Sequence, residues 1–282
     1  MLDIDVSRAG IAPRDAATLV VVRDVDAAKR IEVFCVERHP KSGFLGGAIV
    51  FPGGKVDLDD ASPEWEAATA GVATEDRAQR IAGCREALEE AAILPLRGGA
   101  LSHPELLAIR ARAASKEQSL RELLLARGLR LDLAALHPFA RWITPTAETR
   151  RFDTRFYVTV LPPGQEGAHD DRETTSSFWA SPADVLARFD DGRVQLMPPT
   201  HRTLELLAGL ETSAEAIALA SRMCLEPICP LVVPQGETMA LVLPGDPAHD
   251  VREVRVPGRS RFVLRGERWR AEDAPAPAPA PR

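Results

Sequence analysis

Short apolar runs separated by polar breaks dominate the first part of the chain, a pattern typical of β-strands. Ala17–Val22 is apolar apart from Thr18, which predicts a strand that is buried on both faces. Ile31–Val36 predicts a second strand, and Ala48–Phe51 predicts a short third strand that is stopped by a Pro-Gly-Gly turn at residues 52–54. Residues 151–161 alternate between largely apolar and largely polar side chains, which predicts a long strand with one solvent-exposed, charged face.

Between and after these strands, the polar and apolar positions favour helices. One helix is predicted over residues 74–92. A capping box at Ser102-His-Pro-Glu105 begins a long helical stretch that is predicted to reach Arg127. A further helix is predicted from Ser181 to Phe189, followed by a pair over residues 199–222. Strands interspersed with helices predict an α/β chain, with a mixed sheet between helical layers.

The pattern of apolar and polar residues changes over about the last fifty residues of the chain. Short strand-like runs are separated here by Pro and Gly turns, which predicts a small β extension: Leu231–Val233, Met239–Leu243, Val251–Val256 and Arg261–Leu264. The predicted divisions are a lead-in over 1–13, a main domain over 14–222, the β extension over 223–272 and an unpacked Ala-Pro tail over 273–282. The extension either lines a substrate pocket or forms a subunit contact. A homodimer is therefore possible.

Composition excludes several classes of function. The net charge of −6 provides no general attraction to nucleic acid. No apolar run approaches the length of a membrane span, and the first residues lack the pattern of a signal peptide. Four scattered cysteines, at 35, 84, 224 and 229, are interpreted as reduced, buried thiols. We therefore expect a cytoplasmic protein without membrane or nucleic-acid partners.

Three glutamates in the segment Arg85–Ile93 are the strongest sign of chemistry. Glu86, Glu89 and Glu90 stand at i, i+3 and i+4, so they share one helical face. Like charges so placed repel each other unless a cation neutralises them, and a hard divalent ion, Mg²⁺ or Mn²⁺, takes oxygen ligands. The alternative is a solvated helix face, because the segment also has good helix-forming composition.

Together with Gly47–Asp57, this segment resembles the signature of the Nudix hydrolases. That signature is a glycine, five residues, a glutamate, seven residues, and then Arg-Glu-apolar-x-Glu-Glu-x-Gly-apolar. Gly54 matches the glycine, and residues 85–93 match the second half. Two positions depart from it. The first glutamate falls at Asp60, 24 residues rather than seven before Arg85, and the closing glycine is Ala92.

The insertion at about 61–84 resembles the longer signature of one Nudix branch, which includes the peroxisomal acyl-CoA diphosphatase-like proteins. Three further motifs match this branch: Arg141-Trp-Ile-Thr-Pro145, Arg150-Arg-Phe-Asp-Thr-Arg-Phe156 and Leu196-Met-Pro-Pro-Thr200. The resemblance covers most of residues 14–245. It implies a Nudix-type α/β/α sandwich with a mixed sheet, a helical insertion and a small C-terminal β extension.

The resemblance also implies a catalytic site on the signature helix. The metal ion, Mg²⁺ or Mn²⁺, would be held by Glu86, Glu89, Glu90 and the Gly54 carbonyl. Arg85 would keep the carboxylates in position by ion pairing. Glu86 is alternatively the general base that takes a proton from water.

Many Nudix enzymes carry a further acidic residue in a later loop, where Glu173 lies in this chain. Glu173 is therefore a second candidate for the base. An ordinary exposed loop acid is an equally good interpretation of this residue.

A CoA-binding motif of the family ends in Gly-x-x-x-Phe-Pro-Gly-Gly, which residues 47–54 match, so Phe51 and Gly53 are assigned to the substrate site. Arg38 takes the place of the motif's first arginine, whereas Gly43 stands where the second would be. Arg155 shares a strand face with Asp153. It either binds substrate phosphates, which we favour, or pairs with Asp153 and helix carboxylates.

The function implied is metal-dependent hydrolysis of a diphosphate linkage in a nucleoside diphosphate derivative. CoA or acyl-CoA is the first choice, with a phosphopantetheine derivative and adenosine 3′,5′-bisphosphate as products. Another nucleoside diphosphate conjugate, such as NADH, ADP-ribose or a dinucleotide, stays open as the substrate. A non-catalytic Nudix-like module that senses a nucleotide is the rival from a different class.

Overall fold

The structure, a computed structural model, describes residues 11–25, 30–39, 47–71, 75–115, 117–170 and 174–275. Fourteen strands lie within these residues: β1 (Arg14–Val25), β2 (Arg30–Arg38), β3 (Ile49–Val50), β4 (Gly53–Lys55), β5 (Thr69–Ala70), β6 (Leu96–Arg97), β7 (Arg130–Asp132), β8 (His137–Ile143), β9 (Phe152–Val160), β10 (Thr174–Ala180), β11 (Leu231–Gln235), β12 (Thr238–Val242), β13 (Arg261–Arg265) and β14 (Arg268–Glu272). The same residues form six α-helices: α1 (Arg77–Ala91), α2 (His103–Ala114), α3 (Leu120–Leu125), α4 (Pro182–Asp190), α5 (Pro198–Leu207) and α6 (Ser213–Ala220).

A seven-stranded mixed sheet forms the centre of the fold. Its strand order is β10-β2-β1-β9-β8, with β3 added beside β2 and β4 beside β1. Strands β1 and β9 run parallel, and the other neighbours run antiparallel. Helices cover both faces, so the predicted α/β/α sandwich is confirmed. Across the described part of the chain, no helix is both long and apolar enough to span a bilayer.

The apolar run in β1 is buried on both faces, as its continuous pattern predicts. Leu19 and Val21 belong to an apolar cluster with the helices α1, α2 and α3. Val20 and Val22 belong to a second cluster, on the other face, with α4, α5 and α6. Because successive side chains of a strand point to opposite faces, one run supplies both halves of the core.

The long helix predicted over residues 102–127 is wrong, because two helices take its place. The first, α2, begins at the predicted capping box of Ser102 and Glu105. A second capping box follows, in which Ser119 and Glu122 hydrogen-bond reciprocally and begin α3. Since each box satisfies the free amides at a helix start, the second one interrupts the helical stretch.

Strand β9 is present, but the prediction that one of its faces is exposed to solvent is wrong. Tyr157 is 1% exposed, and its hydroxyl donates a hydrogen bond of 2.8 Å to Asp76, at the start of α1. Arg80 of α1 stacks over the same ring. The polar residues of this face therefore lie beneath α1. Burial there raises the pKa of Tyr157.

The C-terminal extension is a four-stranded antiparallel sheet in the order β11-β12-β13-β14. The prediction of a strand at Val251–Val256 is wrong: these residues form no strand, and Val254 is 64% exposed. Strand β14, which the sequence pattern missed, completes the sheet. Phe262 and Trp269 belong to the cluster around α4, α5 and α6, so the extension packs on the main domain.

Candidate active site

The segment predicted to be a Pro-Gly-Gly turn is instead the short strand β4, which lies between β1 and α1. Gly53 pairs with Thr18 and Gly54 pairs with Ala17. A Cβ on Gly53 would lie 2.5 Å from the Ala17 carbonyl oxygen, and one on Gly54 would lie 2.5 Å from the Glu86 carboxylate carbon. The two glycines are therefore needed for this close approach rather than for an unusual backbone angle.

Arg85 connects α1 to the loop that follows β4. Its Nε and Nη2 donate to Asp60 at 3.1 and 3.0 Å, and Nη2 also donates to the Lys55 carbonyl at 2.9 Å. Its Nη1 donates to Glu86 at 2.8 Å and to Glu89 at 3.3 Å. Burial opposes the guanidinium charge, but the hydrogen bond and charge of Asp60, with the two glutamates, raise the pKa of Arg85.

The three signature glutamates lie on one side of α1 in different surroundings. Glu90 is 3% exposed, and its Oε2 accepts a hydrogen bond of 3.0 Å from the Gly53 amide. Glu86 and Glu89 line an open cavity together with Asp57. Glu90 therefore holds β4 in place, whereas the other two face the space where a ligand would enter.

The electrostatics of the site favour a cation beside Glu89. Burial is the largest cause that raises the pKa of Glu89, and the charges of Asp60 and Asp57 raise it further, although Arg85 lowers it. A raised pKa means that this site disfavours the charged carboxylate, and a cation bound beside Glu89 would favour it.

Within the described ranges, no three His, Cys, Asp or Glu side chains already form a group that could hold a metal ion. The donor set nevertheless fits a hard divalent ion. Five carboxylates lie around β4 and Arg85: Asp57, Asp60, Glu86, Glu89 and Glu90. Arg85 and Lys55 pair with members of this group, whose donor atoms are all oxygens, as a hard divalent ion prefers.

The cavity above these carboxylates has a volume of about 450 Å³ and mixed charge. Besides its acidic side chains, it is lined by Arg14, Arg38, Lys55, Arg85 and Arg150. The Nε of Arg38 is buried and has no hydrogen-bond acceptor among the described residues. Arginines beside a carboxylate cluster suit a ligand with phosphate groups, whose oxygens bind both cations and metal ions.

A second, apolar cavity of about 190 Å³ adjoins the charged one. The two share five lining residues: Thr18, Arg38, Gly53, Phe152 and Thr154. All three further motifs of the resemblance line this apolar cavity, through Trp142–Pro145, Met197–Thr200 and three residues of the third: Phe152, Thr154 and Phe156. Leu241 of the β extension closes one side. Segments far apart in the sequence thus form one cleft with a charged half and an apolar half.

The structure brings most of the predicted site residues together. Arg38, Phe51 and Gly53 line the apolar cavity, next to the carboxylates of α1. Arg155 does not line either cavity, because it lies on the opposite face of β9 with its Nη1 3.9 Å from Asp76. Glu173 lies outside the described residues, so its role stays a prediction.

Among the residues that line the cleft without being predicted from the sequence as site residues are Arg14, Arg150 and Leu241. Arg150 is the first residue of the motif over residues 150–156, so its membership of that motif indicates a place near the site. Arg14 reaches the cleft because β1 pairs with β9 in parallel, with Arg14 opposite Phe152. Leu241 comes from the extension, whose packing no local pattern indicates.

Comparison with known proteins agrees with this geometry. Residues 66–207, half of the chain, match the family model described as the NUDT19 Nudix domain. The acyl-coenzyme A diphosphatase NUDT19 of Homo sapiens is 27% identical over 271 residues, which cover 78% of this chain and 72% of that protein. The protein of the same name from Gallus gallus is also 27% identical, over 273 residues, with 76% of this chain and 72% of the relative covered.

Among solved structures, the crystal structure of a NUDIX hydrolase from Alicyclobacillus acidocaldarius is similar in fold and sequence. It superposes with a TM-score of 0.66 at 32% identity. The match covers 73% of this chain and 96% of that protein.

Proposed function

The chain belongs to the Nudix hydrolases, in the group that has the NUDT19 Nudix domain, and from that premise we propose that it hydrolyses the diphosphate of CoA or an acyl-CoA. The products would be a phosphopantetheine derivative and adenosine 3′,5′-bisphosphate. The names of the human and chicken relatives support this substrate. The observation that carries the proposal is the cleft, whose carboxylate- and arginine-lined half opens into an apolar half.

We propose Mg²⁺ or Mn²⁺ as the cofactor, held by Glu86, Glu89, Glu90 and the Gly54 carbonyl. A divalent ion bound there would withdraw charge from the diphosphate and make a bound water more acidic. The proximity of Gly54 to the Glu86 carboxylate supports this ligand set. Arg85 keeps the glutamates in position through its hydrogen bonds to Glu86 and Glu89.

The reaction adds one water to one phosphorus and breaks the bond between that phosphorus and the bridging oxygen. The second phosphate leaves with the bridging oxygen. A carboxylate takes the proton from water: Glu86, which faces the cleft, would do so in place of its role as a metal ligand, and Glu173 is the other candidate. Arg38, which lines both halves of the cleft, would bind a phosphate oxygen and so position the diphosphate against the signature helix.

The test is hydrolysis of a panel of compounds by the purified chain with Mg²⁺ or Mn²⁺. The panel holds CoA, acyl-CoAs, NADH, ADP-ribose and a diadenosine polyphosphate. We expect turnover of the CoA compounds, and its loss when EDTA removes the metal. Glu89→Gln should lower kcat by more than about a hundredfold, since groups that only orient metal ligands already contribute 10–100-fold.

Glu75→Gln is the matched control, because Glu75 is an exposed acid just before α1. It should leave the rate unchanged. Preferential turnover of NADH, ADP-ribose or a dinucleotide would replace CoA with another nucleoside diphosphate conjugate as substrate. A folded protein that binds a nucleotide but hydrolyses nothing in the panel would instead indicate the sensing module.

A further inference from the structure

The apolar half of the cleft offers few polar groups to a ligand. Four of its lining residues are prolines, which have no amide hydrogen to donate: Pro145, Pro198, Pro199 and Pro230. Arg38 is the one charged side chain among the described residues that line it. The hydroxyl of Thr144 already accepts a hydrogen bond of 3.0 Å from the Phe152 amide. The lining thus suits a group that needs few hydrogen bonds.

The two cavities meet at residues shared by both, among them Arg38 and Gly53. A diphosphate bound over the carboxylates would therefore place its directly attached group in the apolar cavity. In CoA, one flanking group is adenosine, which carries a charged 3′-phosphate. The other is the pantoyl end of the pantetheine arm, with a quaternary carbon and two methyl groups. Burying the phosphate among prolines would be unfavourable, whereas burying the methyl groups is favourable.

We propose that the apolar cavity binds the pantoyl end of the pantetheine arm and selects it over a ribose at that position. This inference rests on the proposed function. Leu241 is the selecting residue that the β extension contributes: it is 2% exposed, and it lines the cavity together with the motif residues. A ribose would place its hydroxyls against Leu241 and the prolines, where they would find few hydrogen-bond partners.

Dephospho-CoA and ADP-ribose form the matched substrate pair, because both are ADP conjugates that differ in the arm beyond the diphosphate. The experiment measures kcat/KM for CoA, dephospho-CoA and ADP-ribose in the wild type, Leu241→Ala and Leu241→Asn. ADP-ribose is also measured as an inhibitor of CoA cleavage, so the preference is known even if it is not cleaved. The ratio for two substrates in one preparation does not depend on the folded fraction.

Val242→Ala is the control variant. Val242 is the next residue of β12, and its side chain lies in a separate cluster with Ala240 and Val263 on the other face. It loses similar buried apolar surface without touching the cavity. We expect Leu241→Asn to lower the preference for the pantetheine arm over ribose by about tenfold, Leu241→Ala by a smaller factor, and Val242→Ala to leave it unchanged.

Each outcome distinguishes this inference from the function on which it rests. If the wild type cleaves CoA but both Leu241 variants keep the wild-type preference, the pantoyl site is wrong and the proposed function stands. If the wild type prefers ADP-ribose, or cleaves no CoA compound, both are wrong. A loss of preference that Val242→Ala reproduces would also contradict a role specific to the cavity.

Discussion

Asp60 is a short side chain at the position where the Nudix signature has a glutamate, yet it reaches Arg85. A turn of 3₁₀ helix, Asp59–Ala61, carries it against α1, where it is 1% exposed. Both of its oxygens accept from the guanidinium, and one also accepts from the Asp57 amide. Asp60 therefore positions the arginine that in turn positions Glu86 and Glu89.

Replacing Asp60 tests this arrangement. Asp60→Asn removes the charge that Arg85 pairs with, so the guanidinium should bind Glu86 and Glu89 more strongly and compete with the metal. We expect metal affinity to fall by about 10–100-fold, as is usual for residues that orient metal ligands. A Mn²⁺ titration of the rate measures this, with Asp59→Asn as control because Asp59 lies on the same turn but is exposed. Equal metal affinity in the two variants would contradict the role of Asp60.

The cysteines are unpaired, but the interpretation that all four are buried is only half right. Cys35 and Cys84 are buried, and Cys224 and Cys229 are partly exposed. Burial raises the pKa of Cys35 to about 12, and that of Cys84 likewise to about 12. The reactive thiolate forms of these two are therefore nearly absent near neutral pH.

Thiol labelling checks this difference. At pH 8, which lies far below a pKa of about 12, iodoacetamide should leave Cys35 and Cys84 of the native protein unmodified. Partial labelling of Cys224 and Cys229 is expected, and urea should make all four reactive. Mass spectrometry of the peptides gives the result. Rapid native labelling of Cys84, which lies in α1, would show that this helix opens.

At the scale of elements, α1 ends in an unusual way. Ala92 has a φ of 51° and is the one non-glycine residue with positive φ among the described residues. The Ile93 amide donates to the Ala87 carbonyl at 3.2 Å and closes the helix end. Here the Nudix signature has glycine, which adopts this conformation freely. The Ala92 methyl is fully buried, so its packing offsets part of the strain.

Substitutions at Ala92 should separate strain from packing. Ala92→Gly relieves a left-handed conformation worth about 1 kcal/mol but loses a buried methyl worth about 0.8 kcal/mol. The free energy of unfolding should therefore change by less than about 1 kcal/mol. Ala92→Val, β-branched at positive φ, should lower it by about 2 kcal/mol or more. Urea denaturation measures both, and an unchanged midpoint for Ala92→Val would show that the helix end relaxes easily.

Helix starts in this chain were predictable where a side chain caps them locally. The sequence predicts the helix start at the box of Ser102 and Glu105, whereas the similar box at Ser119 and Glu122 lies inside a stretch whose pattern is helical on both sides. Strand β4 could not be predicted from Pro52-Gly53-Gly54, because that composition also forms turns. What makes it a strand is the pairing with β1, which is a contact between distant parts of the chain.

At the scale of the whole molecule, the β extension and the main domain share one apolar cluster. Leu241 and Phe262 of the extension belong to the same cluster as Phe189 and Leu204 of the helices. Arg202 of α5 also donates to the carbonyls of Pro257 and Arg259. The predicted boundary at residue 222 therefore crosses a continuous core, although it stays a prediction that truncation can test.

A chain that ends at residue 222 should be insoluble or unfolded, because it would expose the apolar surface that the extension covers. The full chain should unfold in one cooperative transition. A chain that ends at residue 275 is the control, and it should melt with the full chain because the Ala-Pro tail is predicted to be unpacked. Calorimetry of the three chains measures this. A soluble, folded 1–222 chain would show that the main domain folds without the extension.

The sequence by itself determined the family, the layered α/β fold and the carboxylate-bearing helix. These follow from local signals: the spacing of three glutamates on one helix, the apolar run of β1, and short motifs in order along the chain. The tertiary structure alone decided which side chains share the cleft. It placed Arg14, Arg150 and Leu241 there and left Arg155 on the far face of the sheet. The physical reason is that strand pairing and packing between distant segments set these positions, and no local pattern encodes them.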